Sequence, residues 1–270
     1  MIFEFARVTR RIRSTFLAAA FFAYAGIALA QAPNDHVAPP PPVQPMPAMS
    51  DSEMNRVMEM GDDVHVAMFK LDELERGRSN DATSTAWNAQ GWYGGDFDKL
   101  WWRSEGEREV GRTDGRAEAF WDHAFASYWD WQLGARHDFG SGSARDWAAF
   151  GVQGTAPYWF SIEATAYLGG SGRTAARFRA EYELLLTQRV VLQSEFEVNI
   201  YGKDDRMRAV ASGVSDAELG LRLRYEIRRE IAPYIGIVRA YRRGFDDPSS
   251  FVPIAGGSET RIVAGLRIWL

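Results

Sequence analysis

The feature that most constrains the fold of this chain is an alternation of apolar and polar residues with a period of two. Residues 176–184 place alanine, phenylalanine, tyrosine and leucine on one face and arginine and glutamate on the other. The same alternation runs through 129–139, 160–168, 190–200 and 217–225. A sustained period of two is typical of β-strands whose two faces meet different surroundings. The sequence therefore predicts an all-β protein.

The length of these segments separates two kinds of β-protein. Strands of ordinary globular domains have about five or six residues, whereas a tilted strand that spans a membrane needs about 9–11. The segments here reach the longer figure. A membrane barrel alternates lipid-facing and lumen-facing side chains, so it is compatible with the low mean hydropathy of −0.30. We predict a transmembrane antiparallel β-barrel of the outer-membrane type; the alternative is a soluble periplasmic barrel that binds a small ligand.

The links between the alternating segments predict the number of strands. Short turns fit at 94–98, 124–127, 154–157, 185–189 and 227–231. Longer links fit between them, at 77–85, 108–116, 138–145, 169–173, 202–215 and 243–259. Outer-membrane barrels have short periplasmic turns and longer external loops. This pattern predicts about twelve strands, with both chain ends on the periplasmic side.

Charged residues of both signs occupy the polar faces of the segments. They point into the lumen if the phenylalanine and leucine residues of the same segments, such as Phe178 and Leu221, point outward. The predicted lumen charges are Glu163, Arg177, Arg179, Glu181, Glu183, Glu195, Glu197, Glu218, Arg222 and Arg224. We interpret them as a network of opposite charges that closes a small barrel. A path for cations through the lumen is the alternative.

Aromatic residues lie near the predicted short turns. The candidates are Trp101, Trp102, Trp129, Trp131, Tyr158 and Trp159. Tryptophan and tyrosine are enriched where a membrane meets water, because their rings have an apolar body and a polar edge. We therefore predict a girdle at the periplasmic interface.

The first 65 residues divide into two parts. Residues 1–30 contain four arginines, an apolar stretch over 16–27 and the small-residue sequence Ala28-Leu29-Ala30, which predicts a signal peptide. The alternative, a membrane anchor, has too short an apolar stretch. Residues 31–65 contain seven of the eleven prolines, which predicts a flexible tail. The barrel is predicted to span 66–270.

Methionines are concentrated in and just after this tail. The candidate ligands are Met46, Met49, Met54, Met58, Met60, His65 and Met68. Thioether sulfur is a soft ligand suited to Cu(I), imidazole suits copper in either oxidation state, and the chain has no cysteine. The cluster indicates a copper site, with Cu(I) favoured and Cu(II) possible. Alternatively, Met54 and Met58 pack one face of an amphipathic helix against the barrel mouth.

Other function classes are disfavoured by the sequence. The net charge of −5 makes nucleic acid a poor partner. A barrel enzyme that hydrolyses lipids needs a serine nucleophile beside a histidine base, and none of the four histidines is followed by serine two positions later. We predict that the protein is not an enzyme, with a lipid hydrolase as the alternative. His123 and His137 are interpreted as hydrogen-bonding residues, or as ligands of a second, weaker copper site.

Four long stretches resemble a known family. They are WNAQGWYGGDFDKLWWRSEGE (87–107), GVQGTAPYWFSIEATAYLGGSGRTAARFRAEYELLLTQR (151–189), NIYGKDD (199–205) and SDAELGLRLRYEIRREIAPYIG (215–236). Through them, the region from about 66 to 270 resembles the copper-resistance protein B family, outer-membrane barrels of bacterial copper-resistance systems.

This resemblance implies an outer-membrane barrel that binds copper and either sequesters it or passes it across the membrane. It also implies outer-membrane lipid around the barrel and a periplasmic copper-handling partner, such as a multicopper oxidase. Members of the family carry a periplasmic N-terminal region rich in methionine and histidine. The present tail departs from that pattern because it lacks long Met/His repeats and has only His36 and His65. This departure predicts a reduced copper capacity for this chain, or a capacity supplied mainly by a partner.

Overall fold

Twelve β-strands make up the part of the chain that the structure describes. The computed structural model describes residues 50, 53–54, 64–79, 82–109, 111–140, 142–208, 210–244 and 256–270. The first six strands are β1 (Val66–Arg78), β2 (Thr83–Gly94), β3 (Asp98–Glu109), β4 (Arg112–Ala126), β5 (Trp129–Gly140) and β6 (Arg145–Ala156). The others are β7 (Phe160–Gly169), β8 (Arg173–Leu185), β9 (Val190–Tyr201), β10 (Gly213–Tyr225), β11 (Ile231–Arg242) and β12 (Gly257–Trp269).

These strands form one closed barrel. Each strand pairs antiparallel with its neighbours in sequence, and β1 pairs with β12, for example Lys70 opposite Trp269. The strands have 10 to 15 residues, long enough for a tilted strand to span a membrane. Closure satisfies the backbone hydrogen bonds that an open sheet would leave at its edges. The predicted fold class and strand number are confirmed.

The two faces of the barrel wall have opposite character. Phe178, Phe196 and Leu221 are 37%, 40% and 47% exposed on the outside. The side chains that alternate with them point inward, and among these Arg177 and Arg222 are buried. The wall is therefore apolar outside and charged inside, the reverse of a soluble protein. All ten predicted lumen charges belong to the inward-facing set.

The links differ from the predicted alternation of short and long. At the end where the chain enters and leaves the barrel, called here the terminal end, the links have two to five residues, as predicted. At the opposite end, called the loop end, only the links 202–212 and 243–256 are long. The other four loop-end links have two to four residues. The prediction is wrong there because strand pairing continues through the polar rim residues, as between Arg78 and Thr83.

The structure gives the direction of the aromatic residues predicted to form a girdle. Trp102, Trp129 and Trp131 face outward, and Tyr158 and Trp159 are exposed in the β6–β7 turn. Trp101 was predicted with them but points into the lumen, where it packs against the cluster around Phe120. Successive strand residues point to opposite faces, so Trp101 shares the inward face with Lys99 and Arg103.

The predicted signal peptide lies outside the described residues, as does most of the predicted tail. Within the described part of the chain, no helix has the length and apolar character needed to cross a membrane.

Candidate functional site

Two arginines and two glutamates meet across the lumen, each four residues from the loop end of its strand. Arg177 of β8 lies 2.7 Å from Glu105 of β3 and 2.7 Å from Glu197 of β9. Arg116 of β4 pairs with the same two carboxylates, at 3.0 Å from Glu197. Strands β3 and β9 stand on opposite sides of the closed barrel. The four side chains, named here the central cluster, therefore bridge the lumen.

A second cluster surrounds Arg222 of β10, which is only 2% exposed. Its guanidinium lies 2.8 Å from Glu73 and 3.1 Å from Glu75, both on β1. Glu195 of β9 lies 3.0 Å away on the other side. Gly220 leaves room for this guanidinium, since a Cβ there would lie 2.6 Å from it. One buried cation is thus surrounded by three carboxylates.

A β-bulge supplies some of these acids. The pairing of β1 with β2 shifts register between Leu71 and Glu73. A bulge places an extra residue in one strand and re-aims its side chains, so the consecutive residues Asp72 and Glu73 are both buried on the lumen side. Asp72 lies 2.7 Å from Lys70 and 3.3 Å from Arg267. The bulge therefore places two consecutive carboxylates on the lumen side of β1, where a regular strand would place one.

A third cluster is held by hydrogen bonds between amides and charges. Arg103 donates to the side-chain oxygens of Gln132 and Gln153, both at 3.0 Å. The amide nitrogens of Gln132 and Gln153 donate in turn to Asp122, at 2.9 and 2.8 Å. Arg103 also lies 3.2 Å from Glu163. The two glutamines therefore link the guanidinium of Arg103 to the carboxylate of Asp122, which are not in direct contact.

A cavity lies towards each end of the lumen. The terminal cavity has a volume of about 720 Å³ and is lined in part by Met68, Asp130 and Glu181. The loop cavity has a volume of about 740 Å³ and is lined in part by Met207 and by Glu105, Arg116 and Glu197 of the central cluster. Guanidinium groups keep their charge throughout the pH range of proteins. The lumen between the two ends therefore contains fixed positive charge together with its acidic partners.

The link 202–212 folds across the loop end of the barrel. Asp205 in this link pairs with Arg145, at the start of β6, at 2.8 Å. Arg208 donates to the carbonyl oxygen of Ser143 at 3.1 Å. Partial burial raises the pKa of Asp205, but the hydrogen bonds and positive charges around it, those of Arg145 first among them, together lower it more, so it lies below its ordinary value. Contacts from the β9–β10 link to the β5–β6 region thus cover part of the mouth.

Only some of the predicted copper ligands lie among the described residues. Met46, Met49, Met58 and Met60 lie outside the described residues. Met54 is exposed, and Met68 points inward and lines the terminal cavity. The His65 ring stacks on Tyr93, with centroids 5.6 Å apart, on the outward side of the wall. The structure therefore does not bring His65 and Met68 together.

The two strand histidines make hydrogen bonds on the outward face. His123 lies 2.9 Å from Asp98, and His137 lies 2.6 Å from Asp146. Both contacts agree with the interpretation of these histidines as hydrogen-bonding residues. Across the described ranges, no group of three or more histidine and acidic side chains has the arrangement needed to hold a metal ion. The lumen acids named above contact arginine, lysine or amide groups.

Several lumen residues were not singled out from the sequence. Arg103, Glu105, Arg116, Glu118 and Asp122 lie on β3 and β4, and the period-two alternation identifies their inward face. The sequence of residues 98–126 contains this alternation. The roles of Asp72 and Glu73 depend on the bulge, which apolar periodicity does not reveal.

Comparison with known proteins decides the family. Residues 65–270 match the family model described as Copper resistance protein B precursor. The chain belongs to this family. The copper resistance protein B homolog of Pseudomonas syringae pv. tomato is 42% identical over 234 residues, which cover 83% of this chain and 79% of the relative. Copper resistance protein B of Escherichia coli is 41% identical over 234 residues, which cover 83% of this chain and 78% of the relative.

Among solved structures, NanC porin has a TM-score of 0.51 at 14% identity, and the match covers 76% of this chain and all of that porin. At this identity the likeness concerns the barrel fold alone. Membership in the copper resistance protein B family gives the chain a role in copper resistance.

Proposed function

We propose that this protein is an outer-membrane barrel that sequesters copper at its terminal end and has no permanently open path through its lumen. The observation that carries the proposal is the set of paired charges across the lumen. The central cluster and the Arg222 cluster lie across it, and each couples guanidinium groups to carboxylates. A cation crossing the barrel would have to displace these paired charges.

The location follows from the outer face of the wall. Long strands, exposed apolar side chains and a closed hydrogen-bonded sheet suit a lipid environment. The two long links, 202–212 and 243–256, lie at the loop end. Since outer-membrane barrels carry their longer loops outside the cell, we place the loop end outside and the terminal end in the periplasm.

The copper ligands in this proposal are the soft donors of the tail and its junction with β1. The tail continues into the barrel at His65 and Val66, and Met68 lines the terminal cavity just beyond. Cu(I) is the favoured ion because thioether sulfur is a soft ligand. Copper held there is accessible to a periplasmic copper-handling protein, such as a multicopper oxidase, and the barrel itself performs no chemical step.

A Cu(I) competition titration tests the ligand assignment. Deleting residues 44–62 from the full-length protein should lower the number of Cu(I) ions bound, because all five tail methionines of the cluster are removed together. Met207→Leu is the matched control, since Met207 lies in the loop-end link, and it should bind as many ions as the wild type. Unchanged binding by the deletion variant would contradict the assignment.

Fractionation of cells tests the location. The protein should sediment with outer membranes and migrate differently on gels before and after heating, because a closed barrel keeps its sheet until it is heated. Recovery only in the soluble periplasmic fraction would contradict the proposed location.

A further inference from the structure

Basic residues on the outward face of the barrel are confined to one sector of the loop end. Arg76 and Arg78 of β1, Arg108 of β3 and Arg239 of β11 point outward and are exposed. In the closed sheet, β11, β12, β1, β2 and β3 are consecutive neighbours. The other lysines and arginines of the twelve described strands face the lumen. The four outward residues are named here the arginine patch.

Strand register brings members of the patch together. Arg76 lies opposite Thr85 of β2, and Thr85 lies opposite Arg108. Two strand spacings separate Arg76 from Arg108, which places their Cα atoms roughly 10 Å apart. On the other side, Arg239 lies opposite Thr260 of β12. Thr85 therefore lies between Arg76 and Arg108 on the outward face.

Two outward-facing carboxylates, unlike the arginines of the patch, have side-chain partners. Asp98 contacts His123 at 2.9 Å and accepts a hydrogen bond from Trp121 at 2.9 Å. Asp146 contacts His137 at 2.6 Å. Within the described residues, by contrast, no carboxylate pairs with any of the four arginines of the patch. Arginine facing lipid is unfavourable unless it lies near the interface or finds an anion.

The surface next to the patch on its membrane side is apolar. Leu74 precedes Arg76 by two residues on the same face and is 48% exposed. Ile237 precedes Arg239 in the same way and is 56% exposed, and Ile262, opposite Arg78, is 69% exposed. Basic groups at the rim above apolar side chains match a molecule with an anionic head and hydrocarbon tails. A free phosphate ion would use only the first of these two features.

We infer that the arginine patch binds the phosphate groups of a phosphorylated glycolipid in the outer leaflet. Arginine suits this ligand because its planar guanidinium forms paired hydrogen bonds with phosphate oxygens. The acyl chains of the lipid lie along the apolar wall below. This inference rests on the proposed outer-membrane location, with the loop end facing outward.

The test measures binding of diphosphorylated lipid A to the full-length protein in detergent by native mass spectrometry. The quadruple variant R76Q/R78Q/R108Q/R239Q should bind at least about tenfold more weakly, since the loss of charge-assisted bonds to phosphate is expected to exceed the roughly 1.4 kcal/mol that corresponds to a factor of ten. The matched control is R228Q/R229Q, two exposed arginines in the turn at the terminal end. It should bind lipid A as the wild type does.

Three comparisons complete the test. Wild-type protein should bind dephosphorylated lipid A and inorganic phosphate at least about tenfold more weakly than the diphosphorylated lipid. Equal binding by the quadruple variant and the wild type, or equal loss in the control variant, would overturn the inference. The gel shift on heating checks that each variant is folded. Because the lipid measurement uses purified protein, a failure of the proposed location, seen by fractionation, is distinguishable from a failure of the patch.

Discussion

Arg222 illustrates how single residues make a charged lumen stable. A buried guanidinium is costly unless opposite charges and hydrogen bonds surround it. Here Glu73, Glu75 and Glu195 lie within 3.1 Å of it, and the hydroxyl of Tyr234 donates to Glu75. The acids depend on the arginine in the same way, because burial of a charged carboxylate without a partner is also unfavourable. Removal of the one cation therefore exposes several unfavourable interactions at once.

We predict that Arg222→Met lowers the free energy of unfolding by about 3–5 kcal/mol, because three buried carboxylates lose their common partner. The measurement is urea-induced unfolding from lipid vesicles. Arg242→Met is the control: its side chain is 65% exposed and pairs with Glu107, so its loss should cost about 0–1 kcal/mol. Adding Glu75→Gln to Arg222→Met should recover part of the loss. Equal stability of the two arginine variants would contradict the prediction.

Among the elements of the fold, the link 202–212 is held in place by contacts of two titratable carboxylates. The Ser212 backbone N–H donates to Asp204 at 2.6 Å and lowers its pKa. The pKa of Asp205 is raised by burial, but Arg145, Arg173 and the Met207 backbone together lower it more, so it also lies below its ordinary value. Each carboxylate must therefore be charged for the link to be held fully in place.

This predicts that the link loosens in acid. Since the folded pKa values lie below the ordinary value of 3.8, the contacts stabilise the link fully above that pH and are lost as the pH falls through the folded values. Hydrogen exchange of the amides in 202–212, corrected for the intrinsic effect of pH, measures the change. The variant D204N/D205N should show fast exchange at neutral pH and no further acid step. A wild-type link whose exchange does not respond to acid would contradict this assignment.

The strands themselves show which elements are predictable. Period-two alternation identified the outward Phe178 and the inward Arg177, because a lipid face and a lumen face impose one rule along every strand. Trp101 was misplaced because nearness to a turn does not decide which face a residue occupies. The loop-end links were predicted too long because polar residues at a rim pair as readily as apolar ones, as Arg112 does with Glu109. The bulge in β1 has no signal in hydrophobic periodicity.

For the whole molecule, the main consequence of the structure is a lumen bridged by paired charges and partly covered at its loop end. The central cluster joins β3 and β4 to β8 and β9, so it ties opposite walls together. The link 202–212 adds a cover that is independent of this cluster. The central cluster and the link 202–212 can be distinguished by their effects on ion conduction.

We predict that the wild-type barrel shows no steady open channel in planar bilayers. Replacing 203–211 by a short glycine-serine turn should leave the barrel without steady conductance, because the paired charges across the lumen remain. Single-channel recording measures both, and the gel shift on heating confirms that the shortened barrel is folded. A stable open conductance in the wild type would contradict the closed lumen, whereas one that arises only in the shortened variant would assign closure to the link.

Period-two alternation was enough to predict the fold class, the strand number and the inward face of most lumen charges, because a barrel between lipid and lumen repeats one local rule along each strand. Which of these charges meet depends on the closed fold. Glu105 and Arg177 are 72 residues apart in the chain and come within 2.7 Å because closure of the barrel brings β3 and β8 across a narrow lumen. The same closure decided that four outward arginines of β11, β1 and β3 share one sector, since β1 and β12 become neighbours only when the sheet closes.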